Sequence, residues 1–415
     1  MLPTPVAQQT GHANPFVPAG NVQTEDAHGS ASKIPSERIW YLDNLRAIAM
    51  LLGVFLHAGL AYAKPAQSVW LATDPGASVV IDASIWFIHL FRMSLFFLLS
   101  GYLAKLVIER KGPRVYFWNR ALRIALTMVL FYPLLLVAMT ATIIFALSYL
   151  EAPTGLMGVI ATASQGGPEA REKTPITTMH LWFLYYLIFF AIATVLFVQV
   201  PRLKFDWLFS RPALMGLFPL ILLPGVLQAG VPLPAPESFV PTWWPFALYG
   251  VFYWMGWQLR GRELFLDQLS PYATYFLVLS GLLFVPYYVC MPILDLNLIM
   301  RAKIAPMGWG GILAAVLTCY LSVLLTLVSL LLGKRYLQFK SQLLGWIADG
   351  SFWVYLVHLP LVVFFQTLLI PLEWSVWIKL AITILGTLLF CMATYVVFVR
   401  YTPLGWLLHG KRAFP

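Results

Sequence analysis

Arg38-Ile-Trp-Tyr-Leu-Asp43-Asn-Leu-Arg46-Ala-Ile-Ala-Met-Leu-Leu-Gly-Val-Phe-Leu-His57 carries ionisable side chains into an apolar run long enough to cross a lipid bilayer. A charge at mid-membrane costs about 2.5–3.5 kcal/mol on insertion scales, so such residues face a protein interior or a watery cavity. At 100° per residue, Asp43, Arg46 and His57 share one helical stripe. Arg46 and His57 lie about 20° apart around the axis and about 16 Å apart along it. That is too far for a hydrogen bond, so the two ends of the stripe serve different tasks at different depths. Neutral imidazole is cheaper to bury than a fixed charge and exchanges a proton near neutral pH, which makes His57 the candidate for acid–base work.

The rest of the chain fits this reading. Of 415 residues, 60% are hydrophobic and 11% charged, and the mean hydropathy is +0.78. Those values describe an all-α polytopic membrane protein rather than a soluble core. Ten apolar spans are predicted, at 43–63, 82–106, 122–149, 179–200, 213–230, 243–259, 272–293, 306–333, 343–370 and 375–399. Prolines crowd the connection between the fifth and sixth spans, where short or kinked helices are expected. With both termini inside, nineteen Lys and Arg fall on the cytoplasmic side and five on the other, with Arg46, Arg92 and Lys379 within spans. This asymmetry predicts N-in and C-in, and it accounts for the net charge of +10 without nucleic acid.

Residues 1–37 lack apolar periodicity and are expected to form a disordered cytoplasmic tail. No charged segment followed by an apolar one precedes Arg38, so the first span is expected to act as the targeting signal. Residues 38–400 form the membrane domain, and 401–415 a cytoplasmic C-terminal tail. Cys290, Cys319 and Cys391 sit in apolar runs at no metal-binding spacing and read as packing residues.

With the spans placed, His57, His89, His180 and His358 all fall in the outer half of the membrane. Taken singly, a buried His is as often a packing residue as a catalyst. His89 and Arg92, three apart, share a helix face. Arg92 lies about 15 Å from its span's outer end, so it calls for an anionic partner, either Asp43 in an internal clamp or a substrate carboxylate. The connection after the second span is densely basic, with Lys105, Arg110, Lys111, Arg114, Arg120 and Arg123. Anionic lipid suffices to explain the patch. Arg120 and Arg123, at the start of the next helix, also suit the phosphates of a donor arriving from the cytoplasm, since guanidinium groups grip phosphate bidentately. No Gly-rich phosphate loop, HExxH or Gly-x-Ser-x-Gly occurs, so kinase, zinc-protease and serine-hydrolase readings lose support.

As a group, these motifs resemble the integral-membrane acyltransferase family 3. The resemblance rests on Leu-Asp43-Asn-Leu-Arg46 followed by ten residues and His57, and on Phe-Phe-Leu-Leu-Ser100-Gly101-Tyr. It continues through Asn-Arg120-Ala-Leu-Arg123-Ile, His180-Leu-Trp182-Phe-Leu and Gly350-Ser-Phe-Trp-Val-Tyr355-Leu-Val-His358, and covers roughly residues 38–400. Within the family, His89-Leu-Phe-Arg92-Met-Ser-Leu-Phe-Phe is similar to the branch named for glucans biosynthesis protein C, which succinylates periplasmic glucans. Many members carry two inner-loop arginines separated by three residues. Here Arg120 and Arg123 are separated by two, and Arg110 and Arg114 are an upstream alternative.

The resemblance implies a bacterial inner-membrane enzyme moving an acyl group from cytoplasmic acyl-CoA to a hydroxyl of an extracytoplasmic carbohydrate. His57 would act as general base with Asp43 and Arg46 on its stripe, and Arg114, Arg120 and Arg123 would meet the donor. His89, Arg92, Ser100, His180, Trp182, Tyr355 and His358 would line the acceptor or acyl site. The expected partners are acyl-CoA, carbohydrate and membrane lipid, with no bound cofactor, metal or nucleic acid. A proton-coupled or lipid-linked sugar transporter would also place His, Arg and Asp on an internal stripe, but no second copy of the Asp43 to His57 pattern marks a repeated half. A metal-dependent hydrolase built on the four histidines lacks an i, i+4 His pair or a carboxylate–histidine cluster. Trp70, Trp86, Trp182 and Trp243 suit a sugar-stacking groove and equally an aromatic belt.

Overall fold

In a computed structural model of the chain, residues 39–64, 69–165, 177–198, 216–291 and 308–409 are described, and they are all-helical apart from one isolated bridge between Thr177 and Ser238. The expected tail over 1–37 lies outside them. Fourteen α-helices follow in order: α1 Trp40–Gly59, α2 Val79–Arg120, α3 Thr127–Tyr149, α4 Gly155–Gln165, α5 Trp182–Phe197, α6 Phe218–Ile221, α7 Leu223–Ala229, α8 Trp244–Leu259, α9 Leu264–Leu269, α10 Ala273–Cys290, α11 Trp309–Tyr336, α12 Gln342–Leu369, α13 Val376–Thr394 and α14 Pro403–His409.

Among the described residues, seven helical runs are long and apolar enough to cross a membrane. One of them, Val79–Tyr149, contains both the second and third expected spans. It breaks at Gly112, whose φ of 79° suits only glycine, and the following Pro113 donates no backbone N–H. The proline-rich fifth span is reduced to α6 and α7, and α8 is 16 residues long.

Serine side chains start several helices by accepting the orphan N–H groups of the first turn. Ser341 accepts from Leu344 at 3.1 Å, and Ser78 and Ser375 cap α2 and α13 in the same way. Helix α1 packs on α12, and α12 on α13, while α2 packs most extensively on α8. At that crossing a Cβ on Gly101 would overlap the Tyr253 carbonyl, and one on Gly256 the Leu98 carbonyl. Two glycines therefore set the backbone separation of α2 and α8. Gly256→Ala forces the helices apart and is expected to cost about 1–3 kcal/mol, read as a lower unfolding midpoint in detergent. An unchanged midpoint would sink the close-crossing account.

Polar groups fasten the Arg46 end of α1. Asn44, fully buried, donates to the carbonyls of Leu337 and Phe339 at 2.9 and 3.0 Å, satisfying orphan acceptors just past α11. Nearby, Lys105 donates to the Arg260 carbonyl at 2.6 Å, and Arg260 pairs with Glu109 at 3.1 Å and Glu263 at 2.9 Å. Lys105 thus serves packing rather than an open basic patch.

Candidate functional site

Three of the sequence's histidines converge. His57, in the last turn of α1, and His358, within α12, have ring centroids 5.3 Å apart, and His180 meets His358 edge-on at 5.4 Å. His180 sits in the 3-10 turn Met179–Leu181, directly after Met179, whose positive φ of 50° is a strained position for a side-chain-bearing residue.

The placement of His180 follows from a proline. Pro360 has no N–H to give the carbonyl four residues earlier, so the Leu356 oxygen is released from the α12 ladder. His180 Nε2 donates to that oxygen at 2.9 Å, and the Tyr355 hydroxyl donates back to the His180 carbonyl at 2.6 Å. On the same helix, His358 Nδ1 lies 3.0 Å from the Val354 carbonyl and 2.8 Å from that of Tyr355. A carbonyl only accepts, so Nδ1 carries the proton and Nε2 the lone pair.

Gln366 and Trp70 hold His57 from outside. Gln366 Nε2 donates to the carbonyls of His57 and Ala58 at 3.0 and 2.9 Å, capping the end of α1, and its Oε1 accepts from Trp70 Nε1 at 2.9 Å. The Trp70 ring stacks on His57 at 5.7 Å with planes 23° apart. The segment carrying Trp70 is anchored by Asp74, which forms a fully buried ion pair with Lys379 at 2.6 Å. Gln366→Leu removes the cap, leaves the His57 and Ala58 carbonyls and the Trp70 N–H unpaired, and is expected to cost about 1–3 kcal/mol, read as a lower unfolding midpoint in detergent. An unchanged midpoint would show that the cap does not hold this end of α1.

Arg92 reaches the cluster from α2. A Cβ on Gly53, one turn before His57, would sit 2.5 Å from Arg92 Nη1, so this glycine makes room for the guanidinium. Among the described residues Arg92 forms no ion pair, and its Nε is buried without a partner. It lies beside Gly53, about 15 Å along α1 from Asp43, so the Arg–Asp clamp considered from sequence is not made. His89 donates through Nε2 to the Leu233 carbonyl at 2.8 Å. The segment bearing Leu233 is tied to the His180 turn, because Thr178 donates to the Glu237 carbonyl through N at 2.7 Å and through its hydroxyl at 2.9 Å. Burial pushes the Glu237 carboxyl up to about 7, against an opposing hydrogen bond from Thr177.

His57, His89, Arg92 and Tyr355 are enclosed by the bundle yet keep accessible surface, whereas His180 and His358 behind them are buried. The partly accessible side chains therefore lie beside the buried pair. Trp182 is buried and stacks on Tyr249 at 5.6 Å. The Ser100 hydroxyl donates to its own helix at Phe96, 2.8 Å away, and serves packing. Of the other tryptophans, Trp86 donates to Asp82 at 2.8 Å and Trp243 is exposed.

The remaining expected residues stand away from the histidines. Asp43 and Arg46 face each other at 3.8 Å near the other end of α1, both partly exposed. Arg114 is exposed, Arg120 stacks over Tyr116 at 5.3 Å, and half-buried Arg123 lies in the π-helical turn Ala121–Leu126. Sequence reading passed over Gln366, Asn44 and the freed Leu356 carbonyl. A single amide in the apolar run after Pro360, and a histidine two residues before that proline, were the available signals.

Comparison with known proteins follows the same lines. The acyltransferase domain family matches residues 39–396. Glucans biosynthesis protein C of Salmonella paratyphi B (strain ATCC BAA-1250 / SPB7) is 25% identical over 408 residues, which covers 92% of this chain and 97% of the relative. The same-named protein of Salmonella typhi is 25% identical over 409 residues, again 92% of this chain and 97% of the relative. No solved structure matches.

Proposed function

The chain belongs to the acyltransferase domain family, and on that footing we propose that it moves an acetyl or succinyl group from cytoplasmic acyl-CoA to a hydroxyl of an extracytoplasmic carbohydrate. A periplasmic glucan or surface polysaccharide is the acceptor, and the name of the relatives, glucans biosynthesis protein C, favours the glucan. The observation that carries this reading is the convergence of His57, His180, His358 and Arg92, from separate elements, in the helical bundle of a membrane protein.

The protein sits in a bacterial inner membrane with ten crossings, N-in and C-in. Val79–Tyr149 counts as two of these, and Phe218–Ala229 and Trp244–Leu259 as two short ones. The excess of Lys and Arg on one side supports this orientation. The Arg46 end of α1 then faces the cytoplasm, where Arg120 and Arg123, with Arg114 and Arg46 beside them, bind the donor phosphates. The pantetheine arm rises through the bundle toward His57.

His57 Nε2, the ring nitrogen left accessible, takes the proton of the acceptor hydroxyl. The acceptor oxygen bonds to the thioester carbon, the C–S bond breaks, and the departing thiolate takes the proton from His57. A positioned base contributes about 10²–10⁴-fold. Arg92, which forms no ion pair among the described residues, receives the distal carboxylate of a dicarboxylic acyl group. His89, Trp182 and Tyr355 border the space that acyl group and acceptor share. The reaction calls for acyl-CoA as co-substrate and for no bound cofactor or metal.

Mass spectrometry of envelope glycans from cells producing the parent, His57→Ala or Arg123→Ala at matched protein levels tests the reading. An acyl increment seen only with the parent is expected, and its mass names the donor. Identical acylation in all three, or movement of sugar across the membrane without acylation, would favour a transporter instead.

A further inference from the structure

We propose that His358 is the positioning residue for His57, accepting the His57 Nδ1–H on its own Nε2 lone pair and so holding the tautomer whose Nε2 meets the acceptor hydroxyl. This rests on the reading of His57 as general base. For His57 to act through Nε2, its single ring proton must sit on Nδ1. That nitrogen is buried and, among the described residues, has no partner in the resting arrangement, so it is left needing an acceptor.

Of the two rings in direct contact with His57, one can accept. The His57 ring contacts Trp70 and His358. The Trp70 indole offers only a donor, already given to Gln366. His358 offers a lone pair, because the carbonyls of Val354 and Tyr355 hold its Nδ1 as a donor and leave Nε2 as the acceptor. Distance agrees. An N–H···N bond of about 3 Å with about 1.1 Å from nitrogen to centroid on each ring gives a centroid spacing of about 5 Å, and the observed spacing is 5.3 Å. The two planes are tilted by 49°, and Nδ1 is unpartnered at rest, so the bond forms as the His57 ring turns about its Cβ–Cγ bond against the Trp70 stack.

The pairing acquires a purpose when His57 takes the acceptor's proton. The Nδ1–H of an imidazolium is a charged donor, and the bond to His358 becomes charge-assisted as the transition state is approached. His180 stands behind His358 with its own Nε2 fixed on Leu356, so the far side of the His358 ring is packed. In triads that use a histidine base a carboxylate holds the second nitrogen. In this membrane core a neutral imidazole does so without a buried anion.

The test uses full-length protein in lipid nanodiscs, with acetyl-CoA and succinyl-CoA as donors, a glucan oligosaccharide as acceptor, and release of CoA thiol as readout. His358→Leu keeps volume but no acceptor. His358→Gln keeps an acceptor oxygen, and its amide N–H can still reach the α12 carbonyls. We expect His358→Leu to lower kcat about 10²-fold with donor KM within about twofold, and His358→Gln to recover to within about tenfold of the parent. Should His358→Leu fail to fold, His358→Phe supplies the acceptor-free comparison. Equal loss in the Gln and Leu variants, or parental kcat in Leu, overturns the proposal while an inactive His57→Ala leaves the base intact. Parental activity in His57→Ala overturns both.

Discussion

His57→Ala is expected to lower kcat for acyl transfer by about 10²–10⁴-fold, the range a positioned general base supplies. Donor KM should change little, because the arginines assigned to the donor phosphates stand away from this end of α1. The folded fraction should hold as well. Among the described residues the imidazole Nδ1 has no hydrogen-bond partner at rest, so the substitution breaks no hydrogen bond at that nitrogen. The Gln366 cap is made to main-chain carbonyls and survives the substitution. Steady-state release of CoA from purified protein measures the effect, with the unfolding midpoint as control. Loss confined to KM, with kcat preserved, would move His57 from chemistry to substrate binding.

Lys379→Met is expected to destabilise the protein by about 3–5 kcal/mol, since it strips a buried carboxylate of its counter-charge. Both side chains of the pair are 4% exposed, and Lys379 also donates to the Ile370 carbonyl at 3.3 Å. What remains at Asp74 includes a hydrogen bond from the Gly76 N–H at 2.8 Å, too little to replace an ammonium. Activity should fall in parallel, because this pair anchors the segment that lays Trp70 on His57. Pairing Lys379→Met with Asp74→Leu removes both charges and should restore most of the stability, as apolar replacements of buried pairs do. Thermal unfolding of the single and double variants in detergent checks both statements. A double variant no more stable than the single would show that packing, not charge, carries the effect.

Much of the architecture was legible beforehand. Lipid allows a spanning segment little besides helix, because each backbone N–H and C=O must be satisfied within the segment, so long apolar runs imply helices. The shortened helices among the prolines of 218–229 are likewise a local backbone effect, whereas the stretch after the second span, read as a connection, is helical up to and beyond its break at Gly112. Deep histidines and Arg92 stood out because polar groups in hydrocarbon are expensive, whatever they pair with.

Partners were another matter. Asp43, Arg46 and His57 do share a stripe, but the groups that meet His57 come from Trp70, Gln366 and His358, separated from it by up to 309 residues in the chain. Lys379 was visible as a charge within a span, while its partner Asp74 lies 305 residues away. Periodicity reports which face of a helix is polar and carries no information on which helix faces it.

The sequence by itself determined an all-helical membrane protein, the proline-rich stretch where its helices shorten and the family to which residues 39–396 belong. These follow from backbone hydrogen bonding and hydrophobic length, which act over one helix at a time. Only the tertiary structure decided that three histidines meet, that Pro360 frees a carbonyl for His180, that Gly53 admits Arg92, and that no carboxylate reaches it among the described residues. Those outcomes depend on how side chains from separate helices interlock, and close packing settles that for the whole bundle at once.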